Sequence, residues 1–216
     1  MTPAEADAWG ERCEAHVAAA MGGDAAHDLG HVRRVVRAAR QLAEAEGADP
    51  GVVVPAAWLH DVVTVPKDSP DRSRASALAA EAATDWLRGE GFPADRLLAV
   101  AHAIEAHSFS AGIEPRTVEA AVVQDADRLD ALGAIGIARL YATAGAMGSA
   151  LLHPTDPVPA EPPTRALDDR RWATDHFQAK LLTLPATMRT AAGRAEAERR
   201  AEVMRAFLGH LALEVQ

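Results

Sequence analysis

Four side chains in this sequence are of the types that bind a divalent metal ion, and each lies beside an apolar segment with helical periodicity. They are His31, the adjacent pair His60 and Asp61, and Asp127. Two imidazoles and two carboxylates provide the mixed nitrogen and oxygen ligation that suits manganese, iron, cobalt, nickel or zinc. Carboxylates are costly to bury unless they are paired or metal-bound, yet these two stand in AAWLHDVV and AAVVQDADRL. The order H…HD…D therefore predicts a metal site.

A His-Asp dipeptide alone carries little information, because the chain has a second one at His27 and Asp28. Histidines and aspartates also cap helices or face solvent without any functional role. Within QDADRLDALG, we expect Asp127 to ligate the ion, while the other carboxylates take supporting roles around it. Asp125 is a weaker candidate ligand.

Two further histidines, His102 and His107, lie five residues apart in AHAIEAHSFS. On a helix this spacing separates them by about 140°, which disfavours a shared metal ion. His107, near the expected helix end, suits a phosphate contact or a proton donor. His102 is either a packed side chain or a ligand of a second metal ion.

Cationic side chains near these residues are candidates to bind substrate phosphates. Lys67 follows Asp61 in the loop VPKDSPDRS, and its flexible ammonium could reach phosphate oxygens. Arg34 lies about one helical turn beyond His31 on the same face. Lys180, with His176 four residues before it in DHFQAK, could close the site from the C-terminal side. Each of them could equally be a solvated surface residue.

Apolar periodicity and turn residues predict helices almost throughout the chain. The expected helices lie at about 3–21, 31–46, 50–63, 72–89, 94–107, 115–131, 133–145, 169–183 and 185–214. The Pro-rich stretch 145–168 lies between the helices expected at 133–145 and 169–183, near the C-terminal third. A loop of that length inside a compact domain is usually functional or disordered. We interpret it as a flap or a dimer contact.

Length and composition limit the remaining possibilities. At 216 residues and 22.8 kDa the chain predicts a single domain, 1–216, with a core at about 25–145 and C-terminal helices 169–214 packed on it. The net charge of −9 disfavours a nucleic-acid or anionic-membrane partner. Cys13 is the only cysteine, which excludes an intramolecular disulfide and a thiolate metal site. With neither a signal-peptide pattern nor a membrane-length apolar run, we expect a cytoplasmic protein, and a homodimer is compatible with the sequence.

The motifs resemble those of HD-superfamily phosphohydrolases, and more narrowly the YedJ/YpgQ-type bacterial branch. The matching strings span about 25–190 and include AAHDLGHVRRV, LHDVVTVPKDSPDRSRAS, AHAIEAHSFS, TVEAAVVQDADRLDALGAIGIARLYATAG and LDDRRWATDHFQAKLLTLPATMRT. The resemblance implies an all-α HD-domain helical bundle. It also implies that His31, His60, Asp61 and Asp127 ligate the metal ion.

The family resemblance further implies a metal-dependent phosphohydrolase acting on phosphoanhydride or phosphoester bonds. Its branch points to a nucleotide (NTP or dNTP) pyrophosphohydrolase with one divalent ion, Mn first and Co, Ni, Fe, Zn or Mg as alternatives. Metal-activated water would attack phosphorus, with Asp61, Asp127 and His107 as the catalytic side chains. Thr64 stands where HD 5′-nucleotidases carry an acidic residue. A pyrophosphate leaving group needs less protonation than a nucleoside alkoxide, which favours the pyrophosphohydrolase.

Two other functions are compatible with the same motifs. An HD-type di-iron oxygenase would need two more histidines as ligands, and His102 with His107 would have to supply them. A degenerate, non-catalytic nucleotide-binding module would explain the missing acid at Thr64, although the intact ligand set argues against it.

Overall fold

The computed structural model describes residues 1–20, 29–63, 65, 73–108 and 111–215. Within these residues the chain is helical, and its only β-structure is an isolated bridge between Ala150 and Trp172. The predicted all-α class is therefore confirmed. The helices are α1 (Pro3–Ala20), α2 (Leu29–Glu46), α3 (Pro50–Leu59), α4 (Ala75–Gly89), α5 (Leu97–His107), α6 (Val118–Leu129), α7 (Gly133–Met147), α8 (Asp175–Ala179) and α9 (Ala191–Glu214).

The chain divides into two compact units, Met1–Asp127 and Arg128–Gln216. In the first unit α3 is the central helix, and every residue from Gly51 to Leu59 is buried. Helices α1, α2 and α5 pack against α3, and α4 packs against α5. A helix that is apolar all round needs this arrangement, because it has no face to present to water.

Local signals fix both ends of α3. Asp49 is the N-cap residue, and its carboxylate accepts a hydrogen bond from the Gly51 backbone N–H at 2.8 Å. Pro50 occupies the first turn, where its missing N–H costs nothing. The helix ends at Leu59, four residues before the predicted end at 63, and His60 and Asp61 follow it directly.

Helix α2 presents its apolar stripe to this core. Val32, Val35, Val36, Ala39 and Leu42 are all buried, which confirms the predicted spacing. Because the helix begins at Leu29, His31 lies in its first turn.

In the second unit α7 packs against α9, and a 3-10 segment, Leu181–Thr187, packs against both α8 and α9. Gly136 shows how closely α7 approaches the preceding turn: a Cβ there would lie 2.1 Å from the backbone oxygen of Ala131. Gly136 is therefore required by close packing at the start of α7.

The helices expected at 169–183 and 185–214 are wrong in their bounds. Only Asp175–Ala179 is α-helical in the first range, because the Asp175 carboxylate accepts a hydrogen bond from the Asp168 N–H at 2.8 Å and holds the intervening residues in turns. In the second range Pro185 belongs to the 3-10 segment. Helix α9 begins only after Thr190, whose hydroxyl accepts from the Gly193 N–H at 2.9 Å.

The Pro-rich stretch contains no α-helix between Gly148 and Thr174. It is tied together by Arg165, whose guanidinium donates to Asp156 at 2.8 Å and to both Asp175 oxygens at 2.6 and 2.7 Å. Asp175 is fully buried, and a bidentate pair of this kind fixes both position and orientation. The sequence alone did not reveal this network.

No helix in the described part of the chain is long and apolar enough to cross a membrane.

Candidate metal centre

Five side chains from four helical elements converge in the first unit. His31 comes from the start of α2, His60 and Asp61 follow α3, His107 ends α5, and Asp127 lies near the end of α6. Their donor atoms form two groups of three, each within 4.8 Å of one another. One group is His31, His60 and Asp127, and the other is His60, Asp61 and His107. The structure thus brings the four predicted ligands together and adds His107.

The separations between these donor atoms are longer than hydrogen bonds. His31 Nε2 lies 3.5 Å from Asp127 Oδ1, and His60 Nε2 lies 3.8 Å from the same oxygen. His60 Nε2 is also 3.6 Å from Asp61 Oδ2. Direct N–H···O bonds are typically about 2.9–3.0 Å. Two donors on one ion at right or tetrahedral angles are about 3.0–3.5 Å apart, which is close to the spacing observed here.

The orientation of His60 leaves one nitrogen for a cation. Its Nδ1 lies 2.8 Å from the Ala57 carbonyl oxygen, and because a carbonyl can only accept, Nδ1 carries the proton. In the neutral ring Nε2 is therefore a bare lone pair. That atom is buried and has no hydrogen-bond partner among the residues that the structure describes, although buried polar atoms are normally satisfied. A metal ion is the partner that this geometry fits.

His107 has the same construction. Its Nδ1 lies 2.6 Å from the Ile104 carbonyl oxygen, again three residues earlier in the chain. Its Nε2 faces Asp61 Oδ1 at 3.6 Å. A histidine whose Nδ1–H is bound to a backbone carbonyl has the tautomer that metal ligands commonly require.

The electrostatics of the cluster favour neutral His60 and ionised Asp61. Burial lowers the pKa of His60 despite the neighbouring carboxylates. Burial by itself would raise the pKa of Asp61, but His60 and His107 outweigh it and hold that pKa well below its usual range. Burial opposes protonation of His107, while its contact with Asp61 and the charge of Asp127 outweigh burial and raise its pKa. A cation bound beside His107 would instead lower its pKa.

Other predicted residues lie outside the cluster. His102 Nε2 accepts a hydrogen bond from the Arg116 backbone N–H at 2.9 Å, so α5 brings only His107 of the pair to the donors. Asp125 is fully buried but belongs to neither donor group.

Of the three predicted phosphate-binding residues, the structure describes Arg34 and Lys180. Arg34 is partly buried and lies one turn beyond His31 on α2. Lys180 belongs to the second unit, where it follows α8 and is exposed. Near it, His176 Nδ1 lies 2.7 Å from an Asp169 oxygen. Lys67 and Thr64 lie outside the described residues.

One buried residue near the centre was not identified from the sequence. Gln124 is 2% exposed, and its amide donates to the Ala106 carbonyl at 2.5 Å. This bond fixes the end of α5 next to His107. A glutamine inside the apolar run AAVVQDAD was the available signal, because a buried amide requires partners.

Comparison with known proteins shows the family to which the chain belongs. Residues 28–132 match the HD domain family model. The chain is 36% identical over 193 residues to the uncharacterized protein YpgQ of Bacillus subtilis, covering 88% of this chain and 84% of YpgQ. The chain belongs to the HD-domain hydrolase family. HD domains bind divalent metal ions, and the matched range contains all five clustered side chains.

Solved structures of the family confirm the helical HD fold. An HD-superfamily hydrolase from Bacillus thuringiensis is 33% identical, with a TM-score of 0.75 and 97% of each chain covered. Bacillus subtilis YpgQ in complex with ADP is 33% identical, with a TM-score of 0.73, covering 95% of this chain and 94% of that chain.

Proposed function

We propose that this HD-domain hydrolase is a nucleotide pyrophosphohydrolase that cleaves NTPs or dNTPs with one divalent ion, manganese foremost. The ligands are His31, His60, Asp61 and Asp127. The observation that carries the proposal is the fully buried His60 Nε2, which faces two carboxylates and has no hydrogen-bond partner within the described part of the chain. The ADP complex of YpgQ supports a nucleotide as substrate class.

The residues present fit the chemistry of the ion. Two imidazoles and two carboxylates leave positions open on a five- or six-coordinate ion. When bound, the ion lowers the pKa of water and neutralises phosphate charge. The side chains of Asp61 and Asp127 are 38% and 30% exposed. They reach solvent at the centre and can orient an attacking water molecule.

His107 is proposed as a further catalytic side chain. Because its Nδ1–H is held by Ile104, its Nε2 can donate a proton only from the imidazolium form. In the neutral form the same atom offers a lone pair. His107 can therefore contact a phosphate as a cation or face a metal ion as a ligand, but it cannot donate to substrate as a neutral ring.

The leaving group is inferred from position 64, where HD 5′-nucleotidases carry an acidic residue and this chain carries Thr64. Thr64 cannot protonate a leaving group near neutral pH. A nucleoside alkoxide requires such protonation more than pyrophosphate does, since pyrophosphate is the weaker base. Pyrophosphate release is accordingly the reaction that this residue set supports best, with Lys67, Arg34 and Lys180 as proposed phosphate contacts.

The proposal is tested with metal-free protein reloaded with Mn²⁺, Co²⁺, Ni²⁺ or Mg²⁺ and assayed on a nucleotide panel. We expect pyrophosphate and a nucleoside monophosphate, separated by ion chromatography, with ¹⁸O from labelled water in the monophosphate. His60→Ala should abolish turnover, and His102→Ala is the matched control that should retain it. Orthophosphate as the sole product, or a product that requires O₂, would overturn the proposal.

Lys67→Ala tests the proposed phosphate contact. Loss of one charge that stabilises the transition state lowers turnover by roughly 10²-fold or more. Mn²⁺ affinity and melting temperature should stay near wild type, because Lys67 is not among the proposed ligands. Unchanged turnover in this variant would exclude Lys67 and leave Arg34 or Lys180 as the phosphate contact.

A further inference from the structure

A cleft of about 500 Å³ in the second unit lies between the two ends of the Pro-rich stretch. Its lining includes Ser149 and Ala150, just after α7, and Asp168, Arg170, Arg171 and Trp172, just before α8. None of the five clustered side chains of the metal centre belongs to this lining. Small-molecule sites are typically about 300–1,000 Å³, so the cleft has room for a nucleotide, whereas inorganic phosphate alone would leave most of it unfilled.

Two guanidinium groups of this cleft have no carboxylate partner. Arg170 and Arg171 are both exposed, and neither side chain makes a hydrogen bond or an ion pair with any residue that the structure describes. The arginines of the same unit that do bind a carboxylate are Arg139, Arg165, Arg199, Arg200 and Arg205. Acidic residues outnumber Lys and Arg in the chain by 31 to 22, so composition does not explain the missing partners. Two adjacent cations without a counter-ion favour an anionic ligand from outside the chain.

Arg171 also offers a flat surface. Its guanidinium lies 4.7 Å from the centre of the Trp172 ring. The His153 ring packs edge-to-face with the same indole, with ring centres 5.1 Å apart, and so holds that indole in place. A guanidinium that is stacked on one face can receive a planar group on the other, and nucleobases stack on arginine in this way. The cleft thus combines a stacking plane with a positive charge.

The negative groups of the cleft determine where a phosphate can lie. Asp168 is the one acidic residue in the described lining, and its Oδ1 accepts from the Arg171 backbone N–H at 3.2 Å. The C-terminal end of α7 carries a partial negative charge as well. A phosphate therefore belongs beside the two guanidinium groups, and a sugar and base belong toward Ser149 and Ala150. Two cations and one carboxylate suit a single phosphate better than a triphosphate, and Asp168 can accept a hydrogen bond from a sugar hydroxyl.

Backbone hydrogen bonds fix the two walls of the cleft relative to each other. The Ala150 N–H donates to the Arg171 carbonyl at 2.9 Å, and the Ala173 N–H donates to the Ala150 carbonyl at 2.9 Å. The Ser149 hydroxyl donates to the Arg170 carbonyl at 2.7 Å. Both arginines thus extend from a backbone that is already ordered, which reduces the entropy lost when a ligand binds.

We propose that this cleft is a second nucleotide-binding site, which takes a nucleoside 5′-monophosphate without a metal ion. Arg170 and Arg171 bind the phosphate, the base stacks on the Arg171 guanidinium, and Asp168 accepts from the sugar. The site does not depend on the proposed pyrophosphohydrolase, because its residues are neither the metal ligands nor the phosphate contacts proposed there. Where both proposals hold, the cleft binds the monophosphate that the reaction releases.

Calorimetry in the presence of a chelator tests the site apart from any metal-dependent binding. Full-length protein is titrated with AMP, with adenosine and with inorganic phosphate. We expect one AMP per chain with a Kd below about 1 mM. Adenosine and phosphate should each bind at least about 10-fold more weakly, because each retains only part of the contacts.

Variants locate the bound AMP. Replacing both arginines, Arg170→Gln with Arg171→Gln, should weaken AMP binding at least about 10-fold, since hydrogen bonds to charged groups are lost. Arg199→Gln removes an exposed arginine of the same unit that binds Glu196, and it is the matched control that should bind AMP as the wild type does. Arg34→Gln should also leave this binding unchanged, because Arg34 belongs to the first unit.

Nuclear magnetic resonance provides a readout that does not depend on the arginine variants. The chain has four tryptophans, and the indole N–H signal that is missing from Trp172→Phe identifies Trp172. That signal should shift when AMP is added to the chelated wild type. The other three indole signals should stay in place.

Four results would overturn the proposal. They are no AMP binding in chelator, undiminished binding in the double arginine variant, binding that is lost in Arg34→Gln, and a Trp172 signal that does not respond to AMP. Inorganic phosphate that binds as tightly as AMP would reject a nucleotide as the ligand. The pyrophosphohydrolase is judged separately by its metal-dependent products, so either proposal can fail while the other holds.

Discussion

Removing the divalent ion should destabilise the folded chain by an amount that can be calculated. A ligand that binds only the folded state stabilises it by RT ln(1 + [L]/Kd), which is about 2.7 kcal/mol at 100 times Kd. The donors of the centre come from α2, α5, α6 and the end of α3. Because unfolding separates them, the unfolded chain lacks the assembled site, and the full linkage term should apply.

The predicted stabilisation is measured as a shift in melting temperature. For a chain of 150–250 residues, about 1 kcal/mol corresponds to about 2–4 °C. Mn²⁺ at 100 times its Kd should therefore raise the melting temperature of chelated protein by about 5–11 °C. Differential scanning calorimetry over a series of Mn²⁺ concentrations should show a shift that keeps rising with the logarithm of concentration.

His60→Ala provides the decisive comparison, because it removes the buried lone pair. If the variant binds Mn²⁺ 100-fold more weakly, the same Mn²⁺ concentration stabilises it by only about 0.4 kcal/mol, or about 1–2 °C. His102→Ala removes a histidine outside the cluster and should keep the full Mn²⁺-dependent increment. A wild-type protein with no increment, or a His60→Ala variant with the full one, would refute the assigned centre.

Four further substitutions test the packing of α7, the Arg165–Asp175 ion pair and the Gln124 hydrogen bond. Gly136→Ala should lower the free energy of unfolding by about 1–3 kcal/mol, because the new Cβ would collide with the backbone of Ala131. Gly145→Ala in the same helix adds a Cβ that meets none of the described atoms within 4 Å, so it should raise the free energy of unfolding by about 0.5–1 kcal/mol. Urea titration measures both values, and equal effects would contradict the close approach of Gly136 to Ala131. Asp175→Asn should cost about 3 kcal/mol. Burial would raise the pKa of Asp175, but Arg165 outweighs burial and lowers that pKa. The ion pair therefore stabilises the wild type fully above the ordinary carboxyl pKa, and this stabilisation is lost as the pH falls through the lowered pKa of Asp175. An Asp175→Asn variant with the acid-unfolding profile of the wild type would contradict this assignment. Gln124→Leu removes the donor to the Ala106 carbonyl and should lower the free energy of unfolding by about 1–3 kcal/mol. It should also reduce turnover, because the end of α5 that carries His107 loses this hydrogen bond. Turnover at the wild-type rate would show that the bond does not position His107.

The elements that carry the centre could be predicted from the sequence because their signals are local. Helix α3 has an N-cap at Asp49, a first-turn proline and an apolar run that ends directly before His60. Helix α2 has an apolar stripe at helical spacing. These patterns reflect backbone capping and burial, which depend on neighbouring residues.

Features that depend on distant contacts could not be predicted in the same way. The helix expected over 169–183 is mostly turns, since Arg165 and Asp168 both bind the Asp175 carboxylate. Helical propensity contains no information about that ion pair. The angular argument separated His102 from His107 correctly, but the contact between His107 and Asp61 depends on how α5 packs against α3.

The two histidine orientations have one physical origin in the ends of their helices. The last four carbonyls of an α-helix lack intrahelical N–H partners, and Ala57 and Ile104 belong to those last turns of α3 and α5. Each accepts Nδ1–H from the histidine three residues later. One hydrogen bond therefore satisfies a helix-end carbonyl and also fixes the tautomer that leaves Nε2 as a lone pair. A buried helix that ends in histidine thus has a structural reason to direct that lone pair away from its own backbone. Where two such helices end beside the same carboxylate, as α3 and α5 do at Asp61, the hydrogen bonds at two ordinary helix ends place two imidazole Nε2 atoms beside that carboxylate.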